Sequence, residues 1–366
     1  MAIPNLISTF PSKERAALAR QNFYFKVISS LAYLVSVASP KRPMPALLHL
    51  VKVPLGAVAL APRLFFLHDS LLLAMRQQDR LKVANLVVSI NEFAETVQDQ
   101  KKLSVIEIKS VGKTDWEEFI IANSQTLGEE YFRIPPVISA ISDVVLAEQK
   151  EALKNSIKLI EDHFSDMYLE MSGLLSNIRL FQGSVMMGIT DVRMFGCLFI
   201  RVPRPEVDAQ LYYAEHLTHE VSHMYLNAAM SIDPILLNDR SELFSSPLRP
   251  DPRPMIGVFH ATFVTARIVQ LFIALTSDRS TSEEAKVYLY QQLDELKAGI
   301  DEVARHAKLT SVGSELLQEF TIIAEKAEGL SFWNRFDRAH NSLHRFGGGR
   351  QFKPAGNYAE TFASLS

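Results

Sequence analysis

The sequence predicts a mainly α-helical protein of the α+β class, with several helices and a small antiparallel sheet next to the helix that carries His219-Glu-Val-Ser-His223. Three observations predict it. Apolar residues recur at helical spacing through most of the chain. Strand-like patterns are confined to short stretches at 103–111 and 184–202. Prolines and glycines punctuate the intervals between these segments.

Taken in order, residues 13–37 read as a helix, and Pro40, Pro43, Pro45 and Pro54 mark the junction after it. Helices are expected at 62–76 and 79–97, then a strand at 103–111 and a turn at 133–136. Residues 146–180 carry Leu153, Ile157, Ile160, Phe164, Met167, Met171 and Leu174 on one face, which predicts a single long amphipathic helix. Residues 184–189 and 192–202 should form a hairpin joined near Thr190-Asp191.

The motif helix is expected over 206–230, stopped by Pro234, with an irregular proline-rich crossing at 231–254 and a strongly apolar helix at 255–275. Thr281-Ser-Glu-Glu284 resembles a capping box opening a helix to about 306, and further helices are expected at 314–328 and 331–344. This organisation suggests an N-terminal helical scaffold at 1–102, a metal-binding catalytic domain at 103–346 and a flexible tail at 347–366. No internal repeat is evident.

Composition narrows the function classes. With 366 residues, 48% hydrophobic and 22% charged, the chain can bury a sizeable core and a deep pocket. A net charge of -3 gives no general electrostatic reason to bind nucleic acid. The lone Cys197 excludes an internal disulfide or a cysteine-rich zinc site and fits a reducing compartment. Residues 1–20 lack the apolar run of a secretory signal, and Lys52, Pro54, Arg63 and Asp69 interrupt the apolar stretch at 44–75, so a cytoplasmic protein without a membrane span is expected.

His219 and His223 are four residues apart on an expected helix, so both imidazoles leave one face a turn apart and can grip one ion. Neutral imidazole is a good ligand for borderline metals, and a helix holds two of them without loop entropy. His216 shares the stripe but lies about 10 Å of helix rise from His223, which suits a supporting role better than ligation. Asn227, one turn beyond His223, either orients that imidazole or is an ordinary edge amide.

The motif alone fits two chemistries. In a zinc peptidase Glu220 would activate a metal-bound water, and Glu242, after eighteen intervening residues, has a spacing suited to the third ligand. Breakers around Glu242 favour an exposed turn instead. In Arg249-Pro-Asp-Pro-Arg-Pro254 the alternating prolines force Arg249, Asp251 and Arg253 into extended backbone on a shared face, giving either an anion clamp or a rigid surface turn. His260 and Arg267 are the ionisable exceptions in the apolar helix that follows; a buried arginine there requires a partner from protein or ligand.

Together, Glu215-His-Leu-Thr-His-Glu-Val-Ser-His-Met-Tyr-Leu-Asn-Ala228, Ser246-Pro-Leu-Arg-Pro-Asp-Pro-Arg-Pro254 and Gly257-Val-Phe-His260 resemble the HExxH-containing peptide-modification proteins, whose characterised members are 2-oxoglutarate-dependent peptide β-hydroxylases. The resemblance spans about 196–272, and Leu248 and Ala261 depart from the residues common in that family. It implies that His219, His223 and His260 bind Fe(II); on the residues alone Glu242 and Asp251 stay open as the third ligand. It further implies that 2-oxoglutarate and O2 are co-substrates, that Arg253, Arg249 or Arg267 holds the distal carboxylate of 2-oxoglutarate, and that Glu220 orients rather than acts as a base. The implied partner is a ribosomally made precursor peptide, with a homodimer allowed. A zinc metallopeptidase and a non-catalytic peptide-binding protein with a vestigial site stand as alternatives.

Overall fold

In a computed structural model the described residues are 6–40, 44–52, 61–98, 106–132, 136–246, 249–278 and 280–330. The fold is mainly helical with a small sheet, an α+β protein as its periodicity predicts. It divides into two compact units, one spanning 11–234 and the other containing 6–10 and 235–330. The N-terminal helices and the His219–His223 helix therefore belong to the same unit.

The larger unit opens with α1 (Lys13–Ala38), whose N-terminus is capped by the Ser12 hydroxyl accepting from the Arg15 N–H. It continues through α2 (Pro45–Lys52), α3 (Pro62–Arg76), α4 (Arg80–Gln98), β1 (Glu107–Ser110), α5 (Asp115–Phe132) and β2 (Ile138–Ser139). The single helix expected at 146–180 is instead α6 (Asp143–His163), α7 (Ser165–Leu174) and a strand, β3 (Asn177–Gly183). Phe164, at φ -137° and ψ 59°, leaves the helical region and separates the two helices. Ile178, Leu180 and Phe181 are wholly buried in the middle of the sheet, and the short, non-alternating apolar pattern of Asn177-Ile-Arg-Leu-Phe-Gln-Gly183 is one that periodicity cannot tell from a helix end.

The sheet runs β1-β3-β5-β4, with β4 (Gly188–Ile189) and β5 (Cys197–Arg201), and β2 pairs with β3. The expected hairpin is present, since β4 pairs antiparallel with β5 through Gly188↔Ile200 and Ile189↔Phe199. Its first strand is shorter than expected because Val185 takes φ 64°, and a 3-10 turn at Val192–Met194 lies in the connection. The sheet also contains two parallel pairings, β1 with β3 and β3 with β5, so it is mixed rather than purely antiparallel. Next comes α8 (Ala209–Ala229), capped by Asp208 accepting from the Leu211 N–H at 2.8 Å.

In the smaller unit the crossing expected to be irregular holds a hairpin of β6 (Leu243–Ser246) and β7 (Arg249–Pro254). The Arg-Pro repeat is thus extended, as the residues preceding proline require. α9 (Met255–Leu275) packs closely on α10 (Ser282–His306): a Cβ at Gly299 would stand 2.5 Å from the Thr262 hydroxyl. Phe320 of α11 (Ser311–Glu328) meets Phe259 and Phe263 at ring-centre separations of 5.4 and 6.2 Å.

Among the described residues α9 alone is long and apolar enough to cross a membrane, but 78% of its apolar window is buried within the protein, as in a core helix. The expected capping box at Thr281 does not form. Its hydroxyl donates instead to Asp278 at 2.8 Å, within a turn that Asp278 organises. The helix expected at 331–344 and the tail at 347–366 lie outside the described residues.

A buried ion pair secures one edge of the sheet. The Arg179 Nε donates to Glu117 at 2.6 Å and its guanidinium lies over the Trp116 ring, while Glu107 adds a more exposed contact at 3.1 Å. Removing one partner of a buried pair leaves the other charge without compensation, so Glu117→Gln should destabilise the chain by about 3 kcal/mol. Glu107→Gln, at a side chain 37% exposed, should cost less than about 1 kcal/mol. Urea denaturation of the two variants measures the difference; equal effects would contradict this assignment.

Candidate metal centre

The placement of the histidines follows from how α8 is buried. Over residues 211–229 every side chain is buried except His216, His219 and Asn227, and His223 lies on that same stripe with 5% exposure. The helix is held on its other faces by apolar residues including Leu211, Leu217, Val221, Met224 and Leu226, all wholly buried. The one face that reaches solvent is therefore the histidine face.

On it the His219 and His223 rings stand with centres 5.1 Å apart and planes tilted by 51°. With metal–nitrogen bonds of about 2.1 Å, two imidazoles sharing an ion hold their ring centres about 4.5–5 Å apart. The pair is thus close to the geometry that ligation requires. Loss of hydration, with the nearby His216 second, pushes the His219 pKa well below that of a free histidine, which keeps the ring in its neutral, metal-ligating form. The donor set fits a borderline divalent ion on the α8 side.

Glu220 points into the protein. It is 1% exposed, its Oε2 accepts the Thr190 hydroxyl at 2.6 Å, and Gly188 leaves the space it fills: a Cβ there would come 2.1 Å from Oε1. Burial pushes its pKa up to about 8, opposed by the Thr190 hydrogen bond. Glycine in a strand often marks such a close approach, and this signal was available in the sequence. Thr190 gave none, because its role depends on the β4–β5 connection lying against α8.

His216 takes the supporting place expected of it. Its Nδ1 donates to the Tyr212 carbonyl at 2.8 Å, its ring stacks on Tyr212 at 4.0 Å, and burial pushes its pKa down to about 4. Asn227 is not seen to orient His223: its side-chain oxygen is buried without a hydrogen-bond partner.

The remaining expected residues lie in the smaller unit. His260 is 1% exposed on α9, and burial pushes its pKa down to about 3. Arg267, wholly buried, donates through Nε to the Thr9 carbonyl at 3.0 Å and through Nη2 to the Ser8 carbonyl at 3.2 Å, and lies over the Phe263 ring. Glu319 completes this clasp by accepting from the Ser8 hydroxyl at 2.7 Å. The carbonyls that a buried arginine needs are therefore supplied by residues 8 and 9, a pairing more than 250 positions distant in sequence that no local pattern signals.

Arg253 is 8% exposed in β7, opposite Phe244. The side chains of Arg249 and Asp251 lie outside the described residues. Glu242 is half-exposed and ion-paired with Lys308 at 3.1 Å, as a turn glutamate would be. Among the described residues no group of three or more His, Cys, Asp or Glu side chains is assembled closely enough to hold a metal ion. What α8 supplies is a pair. No protein-family model matches the chain, and no curated protein matches it.

The buried Glu220 has a measurable signature in the metal-free protein. A carboxyl whose pKa rises on folding keeps its proton where the unfolded chain has lost it, so its contribution to stability declines as pH climbs from about 4.5 to about 8 and is level above that. The depressed histidines act oppositely, lowering stability as pH falls below about 6.5. Comparing Glu220→Gln with the parent cancels the histidines. The variant should gain relative stability steadily across pH 4.5–8 and no more beyond; a pH-independent difference would refute the assignment.

Proposed function

We propose that this protein is an Fe(II)- and 2-oxoglutarate-dependent oxygenase that hydroxylates a side-chain β-carbon in a ribosomally synthesised precursor peptide. The observation that supports it most is the histidine face of α8, with two imidazoles 5.1 Å apart whose Nε2 atoms are both buried. The resemblance over 196–272 supplies the chemistry. His219 and His223 hold the iron, and His260 is the third ligand on the strength of the resemblance alone. When bound, the metal with 2-oxoglutarate and O2 supplies the oxidation of an unactivated C–H bond.

The chain's own residues place and shield. The neutral His219 imidazole binds without having to release a proton near pH 7. Thr190 and Gly188 fix Glu220 against β4, in a position suited to bracing the helix rather than to taking a proton from solvent water. Arg253 is the first choice among the resemblance's three arginines for the co-substrate, because two donors of Arg267 hold residues 8 and 9. The engagement of Glu242 with Lys308 further supports this reading over a zinc peptidase. A cytoplasmic setting, with its reduced thiols and available 2-oxoglutarate, completes the proposal.

Anaerobically iron-loaded protein, mixed in air with 2-oxoglutarate and a short peptide encoded beside its gene, should release succinate and yield peptide one oxygen atom heavier. His219→Ala should abolish both products. Peptide cleavage in place of oxygen addition would identify the peptidase, and purified chain that takes up no metal would identify a vestigial site.

A further inference from the structure

Three arginines in or beside the β sheet of the larger unit have different fates. Arg179 has Glu117 at 2.6 Å and Arg193 has Asp191 at 2.5 Å. Arg201 has neither. It ends β5, donates its backbone N–H to the Met187 carbonyl at 2.8 Å and accepts the Tyr212 hydroxyl at its own carbonyl at 3.0 Å. That fixes it between the β4 edge and the first turns of α8. It is only 9% exposed, and among the described residues its side chain hydrogen-bonds the Met187 thioether sulfur and the Tyr212 hydroxyl, neither of them an anion.

A buried guanidinium is stable in a fold when an anion offsets its desolvation. Among the described residues no carboxylate side chain provides one. The location is also specific. The Arg201 charge is near enough to His216 to oppose protonation of that ring, and His216 stacks on Tyr212 one turn before His219. Arg201 therefore stands beside the open histidine face of α8.

We propose that Arg201 is a ligand-binding residue whose planar fork receives a carboxylate lying along the histidine face of α8. Two ligands carry that chemistry: the distal carboxylate of a small 2-oxo diacid, which Arg201 would then hold in place of Arg253, and an acidic side chain of a peptide. Arginine suits either, since its paired N–H groups match both carboxylate oxygens. The identity of the first ligand rests on the oxygenase reading; the carboxylate site does not.

The test uses the full chain with Arg201→Met, Arg201→Lys and the parent, and reads both stability and binding. If Arg201 is held for a ligand, removing its uncompensated charge should leave the thermal midpoint unchanged or raised, because an apolar side chain of similar length relieves the burial of charge. In metal-free protein, calorimetric titration should show glutarate, or a blocked peptide containing one aspartate, binding the parent at least tenfold more tightly than Arg201→Met, with Arg201→Lys intermediate. Loss confined to glutarate assigns the site to the small diacid, and loss confined to the peptide assigns it to the substrate.

A parent that binds neither probe, equal binding by parent and Arg201→Met, or a lowered midpoint for Arg201→Met would each overturn the proposal and leave Arg201 a structural cation. A second arm adds Mn(II) and compares 2-oxoglutarate with pyruvate, which keeps the 2-oxo acid but lacks the distal carboxylate. Binding of both that is indifferent to Mn(II) would remove the oxygenase reading while leaving the Arg201 result intact.

Discussion

Everything in the larger unit is arranged around the burial of α8. A helix packed on all sides would offer no site, and one lying on the surface would hold its side chains loosely. Here apolar residues seal the helix on every face except the stripe of His216, His219, His223 and Asn227. The two central imidazoles are consequently held by a well-packed helix, and the removal of His219 from water keeps that ring neutral. Rigidity and protonation state, the two properties a metal ligand needs, come from the same packing.

The second organising theme is the handling of buried charge. Glu117 with Arg179 and Asp191 with Arg193 are matched pairs that hold the sheet and its connections. Arg267 is matched differently, by backbone carbonyls of residues 8 and 9, and so becomes a clasp for the N-terminal segment of the smaller unit. Glu220 is matched by a hydroxyl alone, which leaves its proton affinity high. Arg201 meets a thioether sulfur and a phenol hydroxyl, neither of them a countercharge. Charges without countercharges are where ligand chemistry is most readily hosted, because the fold itself gains little from them.

Much of this was legible in the sequence, and the limits have physical causes. Helical periodicity placed α1, α3, α8 and α9 within a few residues, and proline chemistry made β7 extended. The HExxH spacing alone put both imidazoles on one face. Periodicity failed at 164–180, where a buried strand mimics a helix, and at Thr281, where Asp278 outcompeted the helix terminus for the hydroxyl. The parallel pairings of β3 escaped notice because strand order is a property of the whole sheet. Thr190, Arg201 and the Arg267 clasp were invisible for a similar reason: each depends on segments brought together only by folding. Arg201 ends an apolar strand whose sequence carries no local signal of a binding residue.

The function proposed here joins a resemblance limited to about eighty residues with a pair of imidazoles 5.1 Å apart on α8, and the proposed link between them is an iron ion that this pair would hold. X-ray absorption on anaerobically Fe(II)-loaded chain addresses that link directly. The account predicts one iron per chain with imidazole nitrogens at about 2.1 Å, and loss of that signal when His223 is replaced by alanine. Iron that binds with the same spectrum in the His223→Ala chain, or no stoichiometric iron in the parent, would contradict it.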